Sequence, residues 1–182
     1  MKAVVIYESM YGNTHLIAEA IAEGLRPHGD VTVVPVEAAT AEHLEGADLV
    51  VVGGPTHAHG MSHASTRKAA ADAAAKPDAD LTLDPDATGP GLREWFDTLG
   101  DLTTNAAAFD TRFDLPAAFT GRASKGIARK LHHHLATIVL PPQSFFVTKQ
   151  NELEPNELAL AREWGAHLGF TLDGIAYRAG AR

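Results

Sequence analysis

Ala3-Val4-Val5-Ile6-Tyr7 is an unbroken apolar run, rich in β-branched residues, that stops abruptly at Glu8 and Ser9. A strand with no polar alternation has to be covered on both faces, the situation of a parallel sheet packed between helices. The following residues agree with this. From Asn13 to Leu25 the apolar positions Leu16, Ile17, Ala20, Ile21 and Leu25 recur at helical spacing. Pro27 and Gly29 stop that helix, and Val31 to Val36 reads as a second strand. A connector with Glu42, Leu44 and Glu45 leads to a third strand, Leu49 to Val52, which runs into Gly53-Gly54-Pro55. Alternating strands and helices need right-handed crossovers, so an α/β doubly wound fold is expected.

The middle of the chain is less regular. Ser62 is placed to cap a helix running to about Lys76, where Pro77 stops it. Residues 77–91, rich in Asp, Pro, Thr and Gly, read as an exposed, mobile loop, followed by a helix from about Pro90 to Leu99 that Gly100 ends. Ala106 to Phe109 is the fourth strand. A helix carrying Ile127, Ala128 and Leu131 begins near Gly121, and Pro141-Pro142 puts a corner between Ile138–Leu140 and the last strand, Ser144–Val147. Glu157 to Leu168 closes the set as a helix with Leu158, Ala161, Trp164 and Leu168 inward. With neither a repeat nor a linker, residues 1–182 are expected to form one domain.

Composition removes several kinds of chemistry. The chain has no cysteine, which excludes disulfides, thiolate catalysis and Cys-held zinc or iron–sulfur clusters, so any redox role needs a cofactor. A net charge of −8 argues against a nucleic-acid surface. The apolar stretch behind Met1-Lys2 is too short for a signal peptide or a membrane span, so cytoplasmic residence is expected. The consecutive His132, His133 and His134 point in three directions on a helix and cannot meet one metal ion.

Between the first strand and the first helix lies Ser9-Met10-Tyr11-Gly12-Asn13-Thr14. A phosphate is best held by backbone N–H groups converging at a helix N-terminus, where the helix dipole adds favourable potential. Gly12 allows the tight turn, Ser9 and Thr14 supply hydroxyls and Asn13 a carboxamide. With no Lys or Arg present, the loop suits a monophosphate, and the Gly-Lys-Ser/Thr pattern of triphosphate-binding loops is missing. A polar turn in which Asn13 or Thr14 only caps the helix fits the same residues.

This loop resembles the phosphate loop of flavodoxins, Ser/Thr-x-Thr-Gly-x-Thr, with Ser9, Gly12 and Thr14 matching and Tyr11 departing. The resemblance implies a flavodoxin-like five-stranded parallel sheet in the order 2-1-3-4-5 with helices on both faces, and bound FMN; the connection between strands 3 and 4, at about 62–104, is longer than a minimal flavodoxin needs. In such a sheet ligands sit beyond the carboxyl ends of strands 1 and 3. There Pro55-Thr56-His57-Ala58-His59-Gly60 is similar to the Gly-x-Pro-Thr loop of the family, which implies Thr56 on ribityl or phosphate oxygens and Gly60 near flavin N5. Strand 4 ends in Phe109-Asp110-Thr111-Arg112-Phe113, where flavodoxins place a third flavin loop. The backbone of Asp110 to Phe113 is then expected on the pyrimidine edge, with Phe113 or His57 stacked on the ring. Arg112 departs from the family's acidic or neutral surroundings, and a cation near N1/O2 would raise the second reduction potential.

The implied function is an FMN-dependent electron carrier that meets a redox partner protein, a reductase or an acceptor. The Ser9-Met10-Tyr11-Gly12 loop also resembles that of flavodoxin-like NAD(P)H:quinone oxidoreductases, although the Gly-rich third loop of those enzymes is missing. A receiver-like regulatory domain shares the strand order, but it needs an acidic cluster after strand 1 and an Asp at the end of strand 3, where Gly53-Gly54 stands.

Overall fold

The computed structural model describes residues 1–57 and 59–180. Its strands are β1 (Lys2–Tyr7), β2 (Asp30–Pro35), β3 (Leu49–Pro55), β4 (Asn105–Phe113), β5 (Thr137–Ile138) and β6 (Gln143–Val147). Its helices are α1 (Asn13–Leu25), α2 (Ala41–Leu44), α3 (Ala64–Ala74), α4 (Leu92–Thr98), α5 (Ala117–Thr120), α6 (Ala123–His133) and α7 (Glu157–Gly180). The sheet is parallel, in the order β2-β1-β3-β4, with both β5 and β6 paired to β4. The expected doubly wound fold is therefore borne out, with its fifth position divided. β5 pairs with Asn105 and Ala106 at the start of β4, and β6 with Phe109 to Phe113 at its end. Pro141 and Pro142 lie between the two pieces and have no N–H to give to a ladder, so the strand is interrupted there.

Alternate side chains of the central strands enter two cores. Ala3, Val5, Leu49, Val51, Ala107 and Phe109 meet Ile17, Ile21 and Leu25 of α1 and Ala161 and Leu168 of α7. Val4, Ile6, Val50, Val52, Ala106 and Ala108 meet Leu92, Trp95 and Phe96 of α4 and Ile127 and Leu131 of α6. Burial on both faces is what the unbroken apolar strands require. The helix α1 approaches α7 very closely, because a Cβ on Gly165 would stand 2.2 Å from the Ile21 carbonyl oxygen and one on Gly24 2.1 Å from that of Arg162. The α7 helix runs on to Gly180, well past the expected end at Leu168.

Three further expectations need correction. Gly53-Gly54-Pro55 is strand rather than loop, in register with Phe109, Asp110 and Thr111. Gly53 has to be small because the Phe109 ring lies across it, 2.1 Å from where a Cβ would stand. Asp110 to Phe113 is also strand, paired on its other side with Ser144 to Val147. Its backbone is therefore engaged in a ladder that the apolar pattern of Ala106–Phe109 does not reveal. Lastly, the segment 77–91 is anchored rather than exposed throughout. Asp84 and Ala87 are buried, the Asp84 N–H donates to the Met10 carbonyl at 2.9 Å, and Ala87 and Leu83 pack with Met10, Ala70 and Tyr11. This segment buttresses the loop after β1.

Candidate functional site

Segments at the carboxyl ends of β1, β3 and β4 converge as topology demands, and the turn after β6 joins them. A cleft of about 270 Å³ is lined by Ser9, Met10, Tyr11, Asn13 and Thr14 after β1, by Pro55, Thr56 and His57 at the end of β3, and by Thr111, Arg112 and Phe113 of β4. Val147 and Asn151, which sequence reasoning did not single out, complete it. Asn13 donates to the Asn151 carbonyl at 2.8 Å, tying the first helical turn to the turn after β6. Asn151 has φ 62, and an Asn at positive φ in a turn is the signal that would have drawn attention to it.

The first loop is built around Gly12, at φ 89 and ψ −22, where an L side chain is disfavoured. Its N–H donates to Ser9 Oγ at 3.1 Å, which closes the turn and leaves the Ser9 hydroxyl proton to donate elsewhere. The Leu16 N–H returns to the Gly12 carbonyl. The N–H groups of Asn13, Thr14 and His15 therefore belong to the first turn of α1, where no intrahelical acceptor exists. Thr14 Oγ1 and Thr111 Oγ1 share a hydrogen bond of 2.7 Å that links α1 to β4 across the floor. Tyr11, the departure from the flavodoxin pattern, donates its hydroxyl to the Ala70 carbonyl of α3 at 3.0 Å.

The remaining site residues named from the sequence divide by environment. Thr56 lines the cleft, but its hydroxyl donates to Asp110 Oδ2 at 3.1 Å and accepts from the Ala123 N–H at 2.9 Å, so its proton is not directed at ribityl or phosphate oxygens. Asp110 is fully buried outside the cleft and receives the Ser124 N–H at 2.8 Å. It caps the N-terminus of α6, where a carboxylate opposes the helix dipole favourably. Arg112 lines the cleft with its charge turned to structural use. Its Nη1 donates to the Leu115 carbonyl at 2.6 Å and to Thr120 Oγ1 at 3.1 Å, and its guanidinium lies over the Phe146 ring. His59 and Gly60 do not line the cleft; they line a neighbouring groove. His57 and Gly60 exchange backbone hydrogen bonds of 2.8 and 3.0 Å in a tight hairpin, with His59 at φ 73. Ala58 lies outside the described residues.

Behind the cleft is a buried polar network that sequence reasoning did not assemble. Glu8, at the end of β1, accepts from the Ser62 hydroxyl and, at 2.8 Å, from the Leu92 N–H that opens α4. Arg67 donates to Ser62 Oγ and to Glu94, each at 3.0 Å. The network holds the segment after the 57–60 hairpin against α4. Burial alone would raise the Glu94 carboxyl, but Arg67 and the Gly91 N–H overcome it and hold it below the ordinary range.

Burial lowers His57 below the ordinary histidine value of 6.5, against a smaller opposing pull from Glu8. A base whose folded pKa is depressed binds fewer protons folded than unfolded, so stability is lost as the pH falls below the unfolded value. Between pH 7 and 5 the wild-type midpoint of urea unfolding should fall more than that of His57→Gln, and parallel curves for the two proteins would show that His57 does not contribute.

Among the described residues, no helix is long and apolar enough to cross a membrane. The family model for flavodoxin matches residues 5–109. Among solved structures, a flavodoxin from the domain Archaea superposes with a TM-score of 0.62 at 21% identity, over 95% of this chain and 99% of that one. Flavodoxin 1 from Bacillus cereus gives 0.60 at 22% identity, over 91% of this chain and 95% of that one. A flavodoxin, WrbA-like protein from Agrobacterium tumefaciens gives 0.60 at 22% identity, over 95% and 98%. At these identities the superpositions speak for the fold, whereas the sequence model spans more than half of the residues and runs from within β1 to the middle of β4, including the first two cleft-forming loops. By that match, the chain belongs to the flavodoxin family.

Proposed function

We propose that this protein binds FMN in the cleft at the ends of β1, β3 and β4 and carries electrons between redox partners. The observation that carries this reading is the convergence of Ser9–Thr14, Pro55–His57 and Thr111–Phe113, segments far apart in the chain, on one cleft whose lining contains no carboxylate. The donor set fits a flavin phosphate. The N–H groups of Asn13, Thr14 and His15, with the hydroxyls of Ser9 and Thr14, would hold the phosphate at the α1 N-terminus. Asn13 stays oriented by Asn151. His57 and Phe113, which both line the cleft, would flank the ring system. FMN when bound supplies the one- and two-electron chemistry that the side chains of a chain without cysteine do not.

The test is a titration of the purified protein with FMN, followed by flavin absorbance and fluorescence quenching. Saturable 1:1 binding with a shifted flavin spectrum is expected, and FMN that stays spectrally free at millimolar protein would refute the reading. Steady-state NADPH oxidation with a quinone separates a carrier, which should show almost none, from the quinone oxidoreductase that the Ser9-Met10-Tyr11-Gly12 loop also resembles.

A further inference from the structure

The chain is acidic overall, yet from Leu115 to Asn151 it contains no Asp or Glu, while five Lys or Arg and three His fall in that stretch. The fold shapes part of it into a groove of about 750 Å³ between one face of α6 and the hairpin that follows β3. Arg93, Arg122, Lys125, Arg129, Lys130 and His133 line the groove, and no carboxylate does. Among the described residues only Lys130 of these six has a carboxylate partner, Asp97 at 3.4 Å.

Two of the cations are positioned in advance. Arg93 donates to the Ser62 and Met61 carbonyls at 2.8 and 3.1 Å. Arg122 donates to the Pro142 carbonyl at 3.0 Å and to Ser144 Oγ at 3.2 Å. Neutral acceptors of this kind orient a guanidinium without cancelling its charge. Lys125, Arg129 and His133 follow one another at helical i, i+4 spacing, a row of roughly 12 Å along α6. Concentrating cations without counter-charges works against folding, and such local conflicts are characteristic of binding sites.

We propose that this groove binds a small polyanionic electron donor or acceptor, one bearing at least two phosphate or carboxylate groups, and holds it beside the flavin cleft. His59, Gly60 and Met61 of the groove adjoin His57 of the cleft, so the two sites share the hairpin. A cavity of this size falls within the roughly 300–1,000 Å³ typical of small-molecule sites. An acidic protein surface fits less well. Its footprint would extend beyond the groove onto a chain of net charge −8, whereas a small ligand feels chiefly the cations within a Debye length of about 8 Å. The redox role of the ligand rests on the FMN reading, but anion binding does not.

Calorimetric titration of the protein, with and without FMN, using inorganic pyrophosphate and citrate in low salt tests the proposal and separates phosphate from carboxylate preference. Saturable 1:1 binding of at least one probe is expected. The paired substitution Lys125→Glu with Arg129→Glu, both exposed and without side-chain hydrogen bonds among the described residues, should weaken it at least tenfold. Lys68→Glu with Lys76→Glu, which changes the net charge equally on α3 and just beyond it, should leave it within twofold. Binding of neither probe, equal weakening by both pairs, or displacement of the probe by FMN would each overturn the proposal. Pyrophosphate binding in a protein that takes up no FMN would instead refute the electron-transfer reading and the ligand's redox role with it.

Discussion

Gly12→Val is expected to weaken FMN binding by at least about a hundredfold. The effect is conformational, because a Cβ at position 12 would meet no atom within 4 Å, while the φ of 89 is one that a β-branched residue resists. Holding valine in the left-handed region costs roughly 1–2 kcal/mol, so the loop would relax to negative φ and swing the N–H groups of residues 13 to 15 away from a common focus. Losing about two charge-assisted hydrogen bonds, at roughly 1.5–3 kcal/mol each, corresponds to more than a hundredfold in affinity. Gly12→Asn provides the contrast, since asparagine tolerates the left-handed region and should retain most of the affinity. Fluorescence titration of both variants decides the matter. Equal affinities would show that the loop conformation is not what holds the phosphate.

Glu8→Ala is expected to cost about 3–5 kcal/mol of stability, the loss of two buried hydrogen bonds to a charged acceptor, lowering the thermal midpoint by roughly 10 °C. The carboxylate is 4% exposed and accepts from both Ser62 and the Leu92 N–H. Its removal would leave that N–H buried without a partner and take away the acceptor of the Ser62 hydroxyl, the group to which the buried Arg67 donates. Glu8→Gln should cost about half as much, because an amide oxygen can still accept from Leu92 while the Ser62 hydroxyl reverses to accept from the amide N–H. Calorimetric melting of the three proteins checks the order. An Ala variant as stable as wild type would mean that the network contributes nothing net. The substitution should also loosen the 57–62 segment, since Ser62 is its anchor to α4.

These two residues also show how far sequence reasoning reaches. Gly12 could be recognised because its surroundings are local: a strand, a six-residue polar turn and a helix adjoin in the chain, and positive φ is a property of one residue. Glu8 was equally visible but had no interpretable role, because its partners at Ser62 and Leu92, and Arg67 behind Ser62, are brought together by β3, α3 and α4. The same distinction explains Asp110 and Thr56. Their place at the ends of strands suggested ligand contact, whereas the structure turns them toward the N-terminus of α6, a helix whose orientation is set by core packing through Ile127 and Leu131.

The alternation of apolar runs and amphipathic segments determined the doubly wound fold, and with the polar turn at Ser9–Thr14 it pointed to the edge of the sheet where the proposed flavin would sit. Periodicity and turn chemistry are written in neighbouring residues, and a parallel sheet has few ways to cover both of its faces. Only the tertiary structure decided that β3 and β4 continue as strand to Pro55 and Phe113, that both pieces flanking Pro141-Pro142 pair with β4, that Asn151 joins the cleft, and that the cations of α6 share a groove with Arg93. Each of these depends on which partner stands opposite a residue in space, and that follows from long-range pairing and packing rather than from the residues beside it in the chain.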